Sequence, residues 1–349
     1  MIKSYILIFS IALIVAILVT PFSIFLARRW GAIDYPGGRR IHQQPIPRLG
    51  GLAIYAAFWL AVMLTQRWEN QYWGLFLGST VIFLVGVWDD IKGIRPLIKL
   101  FGQILAAVIL VLYGFSFSFQ SLPLFAKISN LGVYGIYLGA FLTVFWVVGL
   151  VNTINISDGL DGLAAGICFG AALLLFWSAY RTGQIPSSFL TLALAGATLG
   201  FLFYNFHPAR VFMGDSGSMF LGYLIGGISI MGLLKTATVL GLVFPLLVLA
   251  LPLTDMVFAI IRRKWKGISI AKADRGHLHH RLLDAGLSQR TAVFLLYVIS
   301  ACFGIAAVLL TEGYLLEGLV LFLAELVLLV YIFLRRYVYL LKINNKRNS

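Results

Sequence analysis

Charge is what this sequence has least of. Only 11% of its 349 residues are Asp, Glu, Lys or Arg, against about 25% in an ordinary soluble domain, and 60% are hydrophobic. That balance excludes a water-soluble globule and reads as a polytopic membrane protein. Cysteine is nearly missing as well: Cys168 and Cys302 both fall inside apolar runs, where a thiol packs as a small hydrophobe and says nothing about redox compartment. No cleavable leader is recognisable. The first apolar run follows Lys3, lacks a small-residue cleavage site and ends in Arg28–Arg29, which predicts a retained helix. Nor is there an internal repeat of the kind that builds transporters from related halves.

What is present is apolar sequence in eleven runs, near residues 4–27, 50–66, 73–88, 96–114, 135–151, 163–180, 188–205, 217–234, 238–261, 291–310 and 315–334. Most approach the roughly 20 residues a bilayer requires. The predicted fold class is all-α, a single integral-membrane domain over residues 1–349 with about eleven transmembrane helices. Cytoplasmic loops are placed near 28–49, 89–95, 152–162, 206–216 and 262–290, with a basic tail at 335–349. A net charge of +14 would suggest nucleic acid in a soluble chain, but here position decides. Loops after odd-numbered helices, with the tail, hold 22 Lys and Arg, and the other side holds five. The positive-inside rule then predicts the N-terminus outside and the C-terminus cytoplasmic. Anionic lipid and substrate phosphates, not nucleic acid, become the partners of the basic face.

Acidic residues are scarcer still and unevenly placed. All nine Asp lie on or near the predicted cytoplasmic side, and none of the four Glu does. Short hard carboxylates gathered on one face suit a divalent cation. The densest motif, VNTINISDGLDGLA at 151–164, spaces Asn152, Asn155, Asp158 and Asp161 three residues apart. On a helix end that spacing predicts one polar stripe, with Gly159 and Gly162 letting backbone approach a bound group. Asp89 and Asp90 end the third run. Adjacent helical residues point about 100° apart, so one carboxylate is predicted to face the site while the other braces it against a cation.

Asp215, in the GDSG turn at 214–217, lies beside the N–H groups that open the next helix; a plain N-cap is the competing reading. Asn205, His207, Arg210 and Phe212 just before it predict a binding loop. Arg39, Arg40, His42 and Arg48, held between prolines and glycines, predict a shaped anion-binding loop. The longest loop contains DRGHLHHR at 274–281. Its His277, His279 and His280 have no cysteine beside them, which favours phosphate over zinc. Asp255 is expected to pair with Arg262 or Arg263, Glu325 has no evident partner, and 115–134 reads as a surface loop. The motifs follow helices three, five, seven and nine, so an odd-even topology places them on one face, and an active site assembled from cytoplasmic loops is expected.

Together VWDD, VNTINISDGLDGLA, NFHPARVFMGDSGS and HLHHRL resemble the motifs of the polyprenyl-phosphate N-acetylhexosamine-1-phosphate transferases, in the same order from Ala27 to Arg281. The resemblance implies a Mg²⁺-dependent enzyme, with Mn²⁺ as a substitute, in a bacterial plasma membrane. It implies transfer of a sugar 1-phosphate from a UDP-sugar to a polyprenyl phosphate with release of UMP, the first membrane step of a cell-envelope glycan pathway. IHQQPIPRLGG and HLHHRLL look like the UDP-N-acetylglucosamine-using branch that initiates enterobacterial common antigen and teichoic acid. The phospho-N-acetylmuramoyl-pentapeptide transferases are the alternative within the class, and an anion transporter is the alternative outside it.

By that resemblance Asp215 binds the metal, and Asn155 serves metal or diphosphate. Asp158 and Asp161 are nucleotide-side carboxylates, and Phe212 stacks on uracil. Asp89 is the proposed base with Asp90 its neighbour, and His277, His279 and His280 lie on the diphosphate side. Arg39, His42, Arg48, Asn152, Asn205 and Arg210 complete the expected substrate-binding set. A homodimer is compatible with such an enzyme, though nothing in the sequence fixes an interface.

Overall fold

The computed structural model describes residues 1–37, 44–117, 132–236, 239–265, 267 and 276–347. Among them the apolar runs become helices throughout: α1 (Ile2–Trp30), α2 (Gly51–Thr65), α3 (Asn70–Lys92), α4 (Pro96–Leu112), α5 (Val133–Ser157), α6 (Leu163–Arg181), α7 (Ile185–Asn205), α8 (Gly214–Thr236), α9 (Val239–Val248), α10 (Ala250–Trp265), α11 (Leu278–Asp284), α12 (Gln289–Thr311) and α13 (Leu315–Arg347). Seven described stretches, in α1, α3, α5, α6, α7, α12 and the first part of α13, are long and apolar enough to cross a membrane. The helices α2 and α4 are shorter, at 15 and 17 residues. The run expected at 238–261 is two helices, with Pro245 inside α9 and Pro252 in the first turn of α10. Proline lacks an N–H and its ring collides with the preceding turn, which breaks the run. Of the expected surface loop at 115–134, residues 118–131 lie outside the described residues.

Backbone packing divides the chain into two compact units, Met1–Pro245 and Leu246–Ser349. The axis of the first is α8, in which every residue from Ser216 to Met231 is buried. Helices α3 and α5 pack along its length with α2 beside it, while α1 and α6 pack on α7. Contact at the start of α8 depends on missing side chains. A Cβ on Gly51 would strike the Gly217 backbone, and one on Gly86 would strike that of Ser216.

The segment between α1 and α2 is folded back by a two-residue antiparallel ladder, β1 (Ile33–Asp34) against β2 (Ile46–Pro47), which pairs Ile33 with Pro47. Gly50 and Gly51 N–H then donate to the carbonyls of Phe212 and Met213, both at 2.9 Å. These contacts gather the C-terminal end of α3 and the N-terminal ends of α2, α4 and α8. In the second unit α12 pairs with α13, and α10 and α11 pack on α12.

Candidate active site

Asp89 and Asp90 are buried at the end of α3, and the helical turn between them sends their carboxylates to different partners. Asp89 Oδ1 accepts the Ile94 N–H at 2.8 Å, and its Oδ2 lies 2.7 Å from Lys99 Nζ. Lys99, in the first turn of α4, also reaches Asp215 Oδ2 at 2.6 Å. Asp90 accepts the N–H groups of Asp215 and Ser216 at 2.9 and 3.0 Å, so α3 supplies the N-cap of α8.

One of the two carboxylates, Asp89, thus lies against the Lys99 cation, while Asp90, with Arg48 Nε 3.9 Å away, holds a helix N-terminus. It also answers the capping alternative for Asp215, whose own carboxylate is left to meet Lys99. Gly214 permits this closeness: its φ is 69°, and a Cβ there would lie 2.5 Å from the Asp90 carboxylate.

Asp89, Asp90 and Asp215 each bring one oxygen within 4.8 Å of the other two. Anionic oxygens alone, with no sulfur or imidazole among them, are the donor chemistry of Mg²⁺ or Mn²⁺. The Lys99 ammonium bridging two of the three shows that they converge where positive charge is stabilised. By both observations the residues fit such a cation. Lys99 itself was legible only as an oddity, a cation in the first turn of an apolar helix, where charge is rare unless it has a task.

The stripe expected at 152–161 is interrupted, because α5 stops at Ser157 and Gly162 turns the chain with a φ of 80°. Asn152 and Asn155 remain on the helix; Asp158 and Asp161 fall in the turn beyond it. Asn152 exchanges amide hydrogen bonds with Gln103 of α4 at 2.7 and 3.3 Å. That is an interhelical tie between α5 and α4. Asn155 Nδ2 donates to Ser218 Oγ at 2.9 Å, three residues from Asp215 and so on the same side of α8. Asp158 accepts no hydrogen bond among the described residues. Burial first, then the charges of Asp215, Asp90 and Asp161, push its carboxyl up to about 8. Asp161 Oδ2 takes His207 Nδ1 at 2.7 Å and the Ala209 N–H at 3.1 Å.

Asn205 is buried and spends its amide on backbone, accepting Gly162 N–H at 3.1 Å and donating to the Val211 carbonyl at 2.9 Å. It braces the loop against the 158–162 turn. Arg48 is likewise occupied: Nε and Nη2 donate to the carbonyls of Asp90 and Asp89 at 3.0 and 2.9 Å. A cation at a helix C-terminus is favoured by the dipole. Arg210 is exposed, and Phe212 half-buried. Arg39 and His42 lie outside the described residues.

In the second unit the Asp255 carboxylate meets a histidine and a backbone N–H. Its Oδ2 meets His277 Nδ1 at 3.0 Å and its Oδ1 accepts the Leu278 N–H at 2.9 Å, fixing the start of α11. The pairing was invisible in sequence because 22 residues separate the partners. His279 is buried beside His280. Burial, then the neighbouring His280, brings its imidazole down to about 3 against the opposing charge of Asp255.

The family model described as glycosyl transferase family 4 matches residues 72–233, which span the acidic cluster and the 205–212 loop. The chain is 37% identical over 306 residues to a probable undecaprenyl-phosphate N-acetylglucosaminyl 1-phosphate transferase of Bacillus subtilis, covering 87% of this chain and 84% of that one. It is 28% identical over 329 residues to an undecaprenyl-phosphate alpha-N-acetylglucosaminyl 1-phosphate transferase of Escherichia coli, covering 90% and 84%. A phospho-N-acetylmuramoyl-pentapeptide-transferase of Lactiplantibacillus plantarum is 34% identical over 225 residues, covering 59% and 68%. With a relative of that identity aligned along most of both chains, this protein belongs to glycosyl transferase family 4.

Proposed function

We propose that this protein transfers N-acetylglucosamine 1-phosphate from UDP-N-acetylglucosamine to undecaprenyl, or another polyprenyl, phosphate, releasing UMP at the cytoplasmic face of a bacterial plasma membrane. The observation that carries the reading is the meeting of Asp89, Asp90 and Asp215 around Lys99, where the ends of α3, α4 and α8 converge. In the transfer an oxygen of the lipid phosphate bonds to the sugar-bearing phosphorus, and the bond from that phosphorus to the bridging oxygen breaks, leaving UMP. Such a step needs alignment and charge neutralisation more than covalent help from the protein.

The chain's own groups supply both. Lys99 and the α8 N-terminus contribute positive potential, and Asp90 holds that terminus in place. The acceptor, a phosphate monoester with a second pKa of about 6, is already mostly dianionic near neutrality. Asp89, held by Lys99 and Ile94, therefore serves as a positioning group and not as a strong base. Asp215, Asp89 and the oxygen of Asn155 would hold Mg²⁺, which when bound would neutralise charge on the diphosphate.

Cytoplasmic placement is supported by the 22 to five division of Lys and Arg. The N-acetylglucosamine donor is supported by relatives of that name aligned over 87% and 90% of the chain, against 59% for the muramoyl relative. A transporter would carry ionisable groups near the bilayer midplane, whereas these carboxylates sit at helix ends. The test is UMP release by purified protein given polyprenyl phosphate and a panel of UDP-sugars with and without Mg²⁺. Release with UDP-N-acetylglucosamine, lost in chelator, is expected. Comparable turnover of UDP-N-acetylmuramoyl-pentapeptide would overturn the choice of sugar, and no release with any donor would overturn the activity.

A further inference from the structure

We infer that Arg48 is a positioning residue for the acidic cluster: its guanidinium fixes the C-terminal turn of α3 and so sets where Asp89 and Asp90 stand towards Asp215. The inference rests on the transferase reading above, through the cation assigned to those acids. The last carbonyls of a helix have no N–H partner within it and need one from elsewhere. In α3 the Asp89 carbonyl takes the Gly93 N–H at 2.8 Å, and Gly93, with a φ of 64°, then turns the chain away. Asp90 comes next and is only 2% exposed, so its carbonyl is closed to bulk water. Arg48 Nε serves it at 3.0 Å, while Nη2 reaches the Asp89 carbonyl at 2.9 Å.

Two donors of one planar group thus hold two consecutive carbonyls, a fork that arginine presents and lysine does not. Around it, Nη1 lies 4.0 Å from Asp34 Oδ1, and Nε lies 3.9 Å from Asp90 Oδ1. The backbone that carries Arg48 is itself pinned. Its N–H donates to the Ala32 carbonyl at 3.0 Å, and the Gly50 and Gly51 N–H groups just beyond donate to Phe212 and Met213. The Arg48 carbonyl packs on Gly214, where a Cβ would strike it. Arg48 therefore touches the end of α3 with its side chain and the start of α8 with its backbone, and those two elements carry Asp89, Asp90 and Asp215.

What sets this tie apart is the atoms it uses. Lys99, Ile94 and the α8 N–H groups hold the two acids by carboxylate oxygens, the same atoms that a cation needs. Arg48 hydrogen-bonds their carbonyls, so it can keep the turn in place whichever partner the carboxylates take. Side chains leave a helix in directions fixed by their own backbone. Without the fork the Asp90 carbonyl loses its partner, the last turn frays, and both carboxylates lose their aim.

Charge and geometry predict opposite signs, which separates this role from a purely electrostatic one. A cation beside three carboxylates repels a second cation, so loss of the Arg48 charge alone would tighten Mn²⁺ binding. Loss of the fork should weaken it about 10–100-fold, the effect typical of removing an outer partner of metal ligands. Electron paramagnetic resonance on the detergent-solubilised protein, with Mn²⁺ alone, measures it. Arg48→Ala and Arg48→Lys should both bind Mn²⁺ at least about 10-fold more weakly than wild type. Hydrogen exchange of residues 89–94 should quicken in both, and the Mg²⁺ concentration for half-maximal UMP release should rise in step. If the alanine variant fails to fold, the lysine variant, which keeps the charge and loses the fork, carries the test.

Mn²⁺ binding by Arg48→Lys that equals or exceeds that of wild type would overturn the inference, even with faster exchange, because Arg48 would then brace α3 without aiming its acids. Wild-type protein that binds Mn²⁺ but releases no UMP from any UDP-sugar would overturn the transferase reading; weaker binding in both variants would still uphold the role of Arg48. Wild-type protein that binds no Mn²⁺ would overturn the inference together with the cation assigned to the acids.

Discussion

Two adjacent carboxylates do unlike work at the end of α3, and their variants should fail in different ways. Asp90→Ala leaves the N–H groups of Asp215 and Ser216 without an acceptor in a buried place. A lost cap costs about 0.5–2 kcal/mol, and a buried unsatisfied donor about 1–3. Thermal unfolding of that variant should fall by several degrees, together with its activity. Asp215→Asn removes no cap, so its unfolding midpoint should stay near wild type. Its UMP release should drop by more than the 10–100-fold typical of losing an outer partner of a metal site. Assay and scanning fluorimetry on the same preparations separate the two; wild-type release from Asp215→Asn would rule out its place at the cation. His279 gives a pH expectation with a definite sign. Its imidazole is held down to about 3, against about 6.5 when unfolded. The stability it lends the α11 segment is therefore present above pH 6.5 and lost as pH falls from there towards 3. At about 1.4 kcal/mol per pH unit, α11 should lose about 2 kcal/mol of protection by pH 5. Hydrogen exchange of residues 278–284 at pH 7 and 5 measures it, and unchanged protection would show that His279 stays neutral when the segment opens as well.

At the scale of elements, where helices lie was readable and where they stop often was not. Pro245 and Pro252 announced the break between α9 and α10, since proline's effect is local. The end of α5 at Ser157 was hidden, because an Asn/Asp row at three-residue spacing looks the same whether the helix continues or turns out at Gly162. The length of α3 carries its own prediction. From Asn70 to Asp89 the rise is about 28 Å at 1.5 Å per residue, close to the ~30 Å hydrocarbon thickness. Beside its start Trp68 packs on Trp73 and Trp59, with ring centroids 4.7 and 6.1 Å apart. Tryptophan gathers at the membrane–water interface, so this cluster should mark one interface and Asp89 the other. In liposomes, the fluorescence lost on Trp68→Phe should be quenched most by lipids brominated near the headgroup. Quenching greatest at the bilayer centre would contradict the placement.

Over the whole molecule, the charge division predicts which end of each helix meets the cytoplasm. A cysteine replacing Lys264 should resist a membrane-impermeant thiol reagent in intact cells, and one replacing Arg181 should react; the reverse pattern would invert the topology. The native Cys168 is buried and Cys302 partly so, so the background should be small. Composition and run length by themselves determined that this chain is helical and crosses a membrane, because lipid admits few solutions for an apolar backbone. Motif order pointed to its family through the resemblance that those short polar segments carry. Only the tertiary structure decided which partners each of these polar residues meets. Arg48, Asn152 and Asn205 are expected at the substrate and Asp90 beside the proposed base, and each closes a hydrogen bond to another helix or loop, while Lys99 and His207 are partners of the acids. A side chain's task is set by what lies within about 3 Å of it, and in this fold many of those neighbours come from 41 to 126 residues away in sequence.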